Sequence, residues 1–214
     1  MYDLICIGAS WGGLHALGEV LSQIPSEVEQ PIVIVQHRSS DAPEHTLGEL
    51  LGYQIARPVL DVEDKMRIER SKVYLAPADY HLLVEPGSFA LSVDRRVHHA
   101  RPSVDVLFES AADTYRDGVI GVILTGANED GAAGLAKIKA MGGVAVIQDP
   151  AEAERRAMPD AAIAATVADA VLPLSAIGKF IYGLCVNPAR SAGPRSGLVK
   201  GDARNRQEER SSRT

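Results

Sequence analysis

Three residues far apart in the chain carry the side chains that acyl transfer needs: Ser10, His37 and Asp130. Each follows an apolar run at the point where it gives way to small or polar residues. Ser10 lies in Gly8-Ala9-Ser10-Trp11-Gly12-Gly13 after Leu4 to Ile7, His37 follows Pro31 to Val35 and Gln36, and Asp130 comes one short loop after Val119 to Leu124. A serine hydroxyl is too weakly acidic to attack an acyl group unaided. A histidine must take its proton, and a carboxylate must hold the imidazole and stabilise its cation. Gly8 to Gly12 also matches G-x-S-x-G, in which small neighbours permit a sharp strand-to-helix bend that lifts the serine hydroxyl clear of a sheet. This turn predicts an exposed Ser10. The chain order Ser, His, Asp differs from the Ser, Asp, His of the α/β-hydrolases, which argues against that fold and leaves a triad open.

Each residue also has a plainer reading. The unpaired amides that open a helix suit a phosphate as well as an oxyanion, and a small-residue turn is more often structural than nucleophilic. A nucleotide is disfavoured, because Gly8 to Gly13 is not G-x-G-x-x-G and no G-K-[ST] follows. His37 alone reads as a strand-end hydrogen-bonding residue, and Asp130 alone as a cap ahead of Leu135. Finding all three at strand carboxyl ends, where open α/β sheets bind ligands, gives the chemical reading equal weight. His15 and His45 fall on helix surfaces, and Cys6 falls inside a strand. The pair His98-His99 has no cysteine or carboxylate at a recognised metal spacing, so neither metal nor cofactor is expected.

The elements that must position these residues form an α/β pattern. Leu4 to Ile7 lacks polar alternation, as a strand covered on both faces would, and Leu14, Leu17, Val20, Leu21 and Ile24 recur on one helical face. Pro31 to Val35 is a second buried strand, and Asp41 and Pro43 are suited to cap and open a helix bearing Leu47, Leu50 and Leu51. Val119 to Leu124 and Val144 to Ile147 continue the rhythm, separated by a helix with Leu135, Ile138 and Met141 that closes at Gly142-Gly143. A further helix runs from Val104 to Tyr115 with Ser103 as N-cap, followed later by a short helix from Met158 to Ala165, an edge strand from Ala170 to Leu172 and a closing helix from Ala176 to Leu184. Strand alternating with helix predicts a doubly wound, mostly parallel sheet flanked by helices. From Gln54 to Val93 the pieces are short and β-rich, which predicts an antiparallel insertion with a hairpin of His81 to Glu85 against Phe89 to Val93 across Pro86-Gly87-Ser88. Asp94 to Pro102 is a polar loop on the way back to the sheet.

At 214 residues with a formal charge of −6, the chain fits one sizeable domain. Residues 1 to 186 form the expected folded domain and carry −10, while 187 to 214 read as a disordered basic tail of +4. The acidic balance disfavours nucleic acid, and no run approaches the ~18 apolar residues of a membrane span. Two cysteines and the lack of a signal segment point to a reducing cytoplasm.

Several separate blocks resemble the catalytic domain of the bacterial chemotaxis protein-glutamate methylesterases, the CheB type. They are Ile7 to Gly13; Val33-Ile34-Val35-Gln36-His37; Val73 to Pro77 with His81-Leu82; Arg101 to Phe108; Gly121 to Gly126 with Asp130-Gly131-Ala132; and Gln148-Asp149-Pro150 followed by Met158-Pro159. The resemblance covers Asp3 to about Leu174. It implies Ser10 as nucleophile, His37 as general base and later acid, and Asp130 as its orienting carboxylate. It also implies methylated chemoreceptor cytoplasmic helices as partners, from whose glutamate side chains methyl groups leave as methanol; some members also deamidate glutamines. Backbone amides of Trp11 and Ala127 are the oxyanion-hole candidates. Members commonly carry a receiver domain and linker ahead of the esterase; here two residues precede the first strand, so an esterase unit without one is expected. Trp11 replaces a small hydroxylic residue, Gly126-Ala127-Asn128 stands where Gly-Met-Gly is usual, and Arg38 replaces a frequent Met. Retention of the three chemical residues favours an enzyme. The changes at Trp11 and Ala127 keep open a catalytically silent docking module or an esterase for another acyl substrate.

Overall fold

The apolar runs become strands because two cores lie against opposite faces of one sheet. A computed structural model describes residues 2–38 and 46–186. In β1 (Leu4–Ala9) Leu4 and Cys6 enter one core while Ile5, Ile7 and Ala9 enter the other, which accounts for a strand buried at every position. α1 (Gly13–Ser22) lays Ala16, Leu17, Val20 and Leu21 on the second core. The chain continues through β2 (Ile32–Gln36), α2 (Thr46–Gly52), β3 (Val59–Asp61), β4 (Val73–Leu75), β5 (His81–Glu85) and β6 (Ser88–Ser92). It then forms α3 (Val104–Tyr115), β7 (Val119–Ile123), α4 (Ala132–Ala140), β8 (Val144–Gln148), α5 (Ala157–Ala165), β9 (Ala170–Leu172) and α6 (Leu174–Val186).

Seven strands make a wholly parallel sheet in the order β3-β4-β2-β1-β7-β8-β9. Helices α1, α2 and α6 cover one face, and α3, α4 and α5 cover the other. After β1 the chain moves outward to β2; after β7, on the other side of β1, it moves outward to β8. The carboxyl ends of β1 and β7 therefore diverge to opposite faces, and the crevice between them is where such sheets bind ligands.

The antiparallel insertion is smaller than its sequence suggests. Only β5 and β6 pair antiparallel, whereas β3 and β4 join the main sheet as parallel strands, β4 beside β2 and β3 at the edge. A three-residue strand displays no period, so its partner cannot be read from its own residues. Glu85 pairs with Ser88, which shortens the hairpin turn to Pro86-Gly87, with Gly87 at φ 75°. The hairpin buries Leu82, Val84 and Phe89 against the first core, and α3 closes its edge: the Val84 amide donates to Ser110 Oγ and Thr114 Oγ1 donates to the Val84 carbonyl. The closing helix starts at Leu174, two residues before its expected start. Asp41, Pro43, His45 and the tail from 187 to 214 lie outside the described residues.

Candidate active site

Strand register brings Ser10 and His37 together. Ala9 pairs with Gln36, and the His37 amide donates to the Ala9 carbonyl, so Ser10 and His37 emerge side by side from adjacent parallel strands whose backbones run about 5 Å apart. The Ser10 amide donates to the Thr125 carbonyl, while the Ser10 carbonyl accepts from Gly13 N and from Gln36 Nε2 at 2.7 Å. Gln36 Nε2 also donates to the His37 carbonyl, so a single glutamine ties both chemical residues together. Ser10 is half-buried, not exposed as its turn suggests, because the loop after β7 closes over it. A Cβ on Gly126 would lie 2.9 Å from Ser10 Cβ and 1.8 Å from Met158 Sδ, so only glycine permits this approach.

Asp130 is the most heavily bonded side chain of the site. Its Oδ2 accepts from His37 Nε2 and from the Val104 amide, both at 2.7 Å. Its Oδ1 accepts from Ser103 Oγ at 2.7 Å and from the Asp105 amide at 3.0 Å. Burial alone pushes the carboxyl upward, but the bonds from His37, Ser103 and the Asp105 and Val104 amides outweigh it and hold Asp130 below the ordinary carboxylate range. Asp130 is thus a cap, but of α3 and not of the helix that follows it; α4 is opened by Gly131 at φ 95°. Two readings that compete in sequence, cap and imidazole partner, coexist on one carboxylate. Asp105 behaves oppositely: burial raises its carboxyl, partly offset by the Gly134 amide, with the Asp130 charge adding to the rise.

With Asp130 accepting from Nε2, the neutral imidazole carries its proton there and leaves Nδ1 as the bare basic nitrogen. Among the described residues Ser10 Oγ makes no hydrogen bond, so the hydroxyl is unencumbered. The oxyanion-hole candidates lie beside it. α1 opens at Gly12, at φ 79° and without a side-chain cap, and among the described residues the amides of Trp11, Gly12 and Ala127 have no acceptor. The Trp11 carbonyl is fixed by Thr125 Oγ1 at 2.9 Å, and Thr125 N donates to the buried Gln148 at 2.7 Å. The Trp11 ring is exposed and held by the loop before α5: Nε1 donates to Glu154 at 2.7 Å, and the Arg155 guanidinium sits 5.4 Å from the ring centroid. Arg38, next to His37, is largely buried, donating to the Ala76 carbonyl and 3.6 Å from Asp61.

Sequence reasoning missed Gln36, Ser103 and Gln148 as members of the site. Gln36 and Gln148 are polar residues ending otherwise apolar strands, which is a usable signal. Ser103 reads only as a helix cap, a role it keeps by accepting weakly from the Val106 amide, while its donation to Asp130 depends on where α3 meets the β7 loop. His15 is a surface residue and Cys6 is core. His98 finds the carboxylate partners that its local sequence lacks, 3.3 Å from Asp105 and 3.1 Å from Glu129. Among the described residues no group of three or more His, Cys, Asp or Glu is arranged to hold a metal ion, and no helix is long and apolar enough to cross a membrane.

Known proteins share this arrangement of chain. A putative protein-glutamate methylesterase/protein-glutamine glutaminase of Leptospira interrogans is 46% identical over 190 residues, 87% of this chain and 96% of that protein. The protein-glutamate methylesterase FrzG of Myxococcus xanthus is 40% identical over 178 residues, and there the match spans 83% of this chain but only 53% of the relative. The crystal structure of the Thermotoga maritima CheB methylesterase catalytic domain superposes with a TM-score of 0.80 at 32% identity, covering 86% of this chain and 99% of that one. The family model described as CheB methylesterase matches residues 5–181, from the first buried strand into the last helix, and the chain belongs to the CheB methylesterase family.

Proposed function

We propose that this chain hydrolyses glutamate methyl esters on the cytoplasmic helices of chemoreceptors, releasing methanol, with residues 1–186 as the catalytic domain and the cytoplasm as its compartment. The observation that carries the chemistry is the 2.7 Å bond between His37 Nε2 and a fully buried Asp130, beside a serine on the neighbouring strand. Ser10 Oγ attacks the ester carbonyl as His37 Nδ1 takes its proton. The tetrahedral oxyanion forms within reach of the Trp11 and Ala127 amides, donors of a kind worth about 3 kcal/mol each in the transition state. Asp130 stabilises the imidazolium, which then returns the proton to departing methoxide. Water, deprotonated by His37, attacks the acyl-enzyme and frees the glutamate carboxylate and Ser10. A glutamine side chain fits the same cycle with ammonia as the leaving group.

Labelling with a fluorophosphonate, followed by peptide mass spectrometry, tests the nucleophile. The adduct is expected on Ser10 and is expected to form at least ~100-fold more slowly in His37→Ala, since a base no longer takes the proton. Labelling elsewhere, or at an unchanged rate in His37→Ala, contradicts the assignment.

A further inference from the structure

A pocket of about 330 Å³ opens beside His37. Its lining contains Arg38, Arg96 and Arg101 together with His98 and His99, and no Asp or Glu. This is unexpected in a chain of formal charge −6. Asp79 pairs with Arg96 at 2.9 Å and with Arg101 at 2.8 Å, and Asp61 lies 3.6 Å from Arg38, so the three guanidiniums of the lining share two carboxylates. Within the lining, His98 sits between Asp105 and Glu129, which hold the His98-His99 corner in place. That corner is built tightly: both histidines adopt positive φ, at 47° and 63°, and Val97 and Ala100 close the loop through mutual backbone hydrogen bonds.

These pairs leave donors of the lining unused. Arg101 is consumed by Asp79 and by the carbonyls of Val93 and Asp94. Arg96 gives one hydrogen bond, to Asp79, and its half-exposed side chain keeps its remaining donors free among the described residues. Arg38 Nε is buried with no partner among them. A guanidinium held from one side by a carboxylate, with its other edge open, is pre-oriented to grip a second carboxylate.

We infer that this pocket is a specificity subsite that binds the carboxylate of an acidic residue flanking the scissile glutamyl ester, with Arg96 as its principal donor. The inference rests on the methylesterase reading for the identity of the ester, and on the pocket alone for the charge of its neighbour. An acidic neighbour seated there brings the ester to Ser10 across His37, and a basic neighbour is repelled.

Two peptides bearing a central glutamate methyl ester, one with glutamate beside it and one with glutamine, test this. The wild-type chain is expected to favour the acidic peptide about tenfold in kcat/KM, mainly through KM, as one charge-assisted contact allows. Arg96→Gln is expected to bring the ratio near one, Arg96→Glu to favour a lysine-bearing twin, and Arg70→Gln, a remote arginine paired with Glu29, to keep the wild-type ratio. Equal rates on both peptides in the wild type, or a preference that survives Arg96→Gln, overturns the subsite. If the wild type cleaves neither peptide, anisotropy of a labelled, ester-free acidic peptide decides: salt-sensitive binding weakened about tenfold by Arg96→Gln upholds the pocket while the methylesterase reading falls. Binding that ignores Arg96, or none, overturns the pocket as well.

Discussion

Replacing Asp130 by asparagine probes both duties of this carboxylate with one atom's change. Four donors converge on it: His37 Nε2 and the Val104 amide on Oδ2, Ser103 Oγ and the Asp105 amide on Oδ1. An amide can present its oxygen to only one pair. With its NH2 toward Ser103, the hydroxyl can reverse and accept, but the Asp105 amide is orphaned. With its NH2 toward His37, the Val104 amide is orphaned, and the imidazole must change tautomer and surrender Nδ1 as its basic nitrogen. One buried N–H is lost in either case, at ~1–3 kcal/mol, and the surviving bonds lose their charge, so ~2–4 kcal/mol of destabilisation is expected. A domain with ~5–15 kcal/mol to draw on remains folded. Catalysis suffers more, by ~10³–10⁴ in kcat, because the imidazolium formed during attack no longer meets a carboxylate. Urea unfolding followed by circular dichroism measures the first loss, and methyl-ester hydrolysis below the unfolding transition measures the second. An Asp130→Asn protein with kcat within threefold of wild type would refute the pairing with His37, and one of unchanged stability would refute the capping of α3.

The acid limb of stability carries the same signature. Folded Asp130 binds its proton more weakly than the unfolded chain does, so its contribution is complete above the unfolded carboxylate value of ~3.9 and is lost as pH falls through the lower folded value. The stability gap between wild type and Asp130→Asn should be steady between pH 7 and 8 and shrink below about pH 4; a gap that widens on acidification contradicts the sign. Ser10→Ala should melt within ~2 °C of wild type, because its hydroxyl makes no hydrogen bond among the described residues; a larger fall in a thermal scan makes Ser10 structural. Burial pushes the Cys6 thiol far up and raises Cys185 to about 11, with Arg57 opposing the rise at Cys185. Ellman's reagent at pH 8 should therefore react slowly with Cys185 and reach Cys6 only on unfolding, and rapid reaction of both in the native protein would argue against the burial described.

The sequence revealed what repeats and what ends abruptly. Long apolar runs announce β1, β2, β7 and β8, and the candidate triad follows three of them, because a parallel sheet collects its strand ends at one edge. The short strands β3 and β4 were legible as strands but not as parallel ones, since pairing direction depends on where the chain returns. Asp130 illustrates a subtler limit. Its place in the chain suggests a cap for the helix that follows, yet it caps α3, because α3 and the β7 loop meet only in three dimensions. The cationic pocket was equally hidden: Arg38 and the Arg96 to Arg101 loop are separated by more than fifty residues and come together only when that loop folds back beside His37.

The central claim is that Ser10 performs ester hydrolysis on methylated receptors. Methanol release from radiomethylated chemoreceptor membranes, measured with the wild-type chain and with Ser10→Ala, tests it most directly. Release by the wild type that disappears in Ser10→Ala is the predicted result. Equal release by both proteins, or none from a folded wild type, would contradict it.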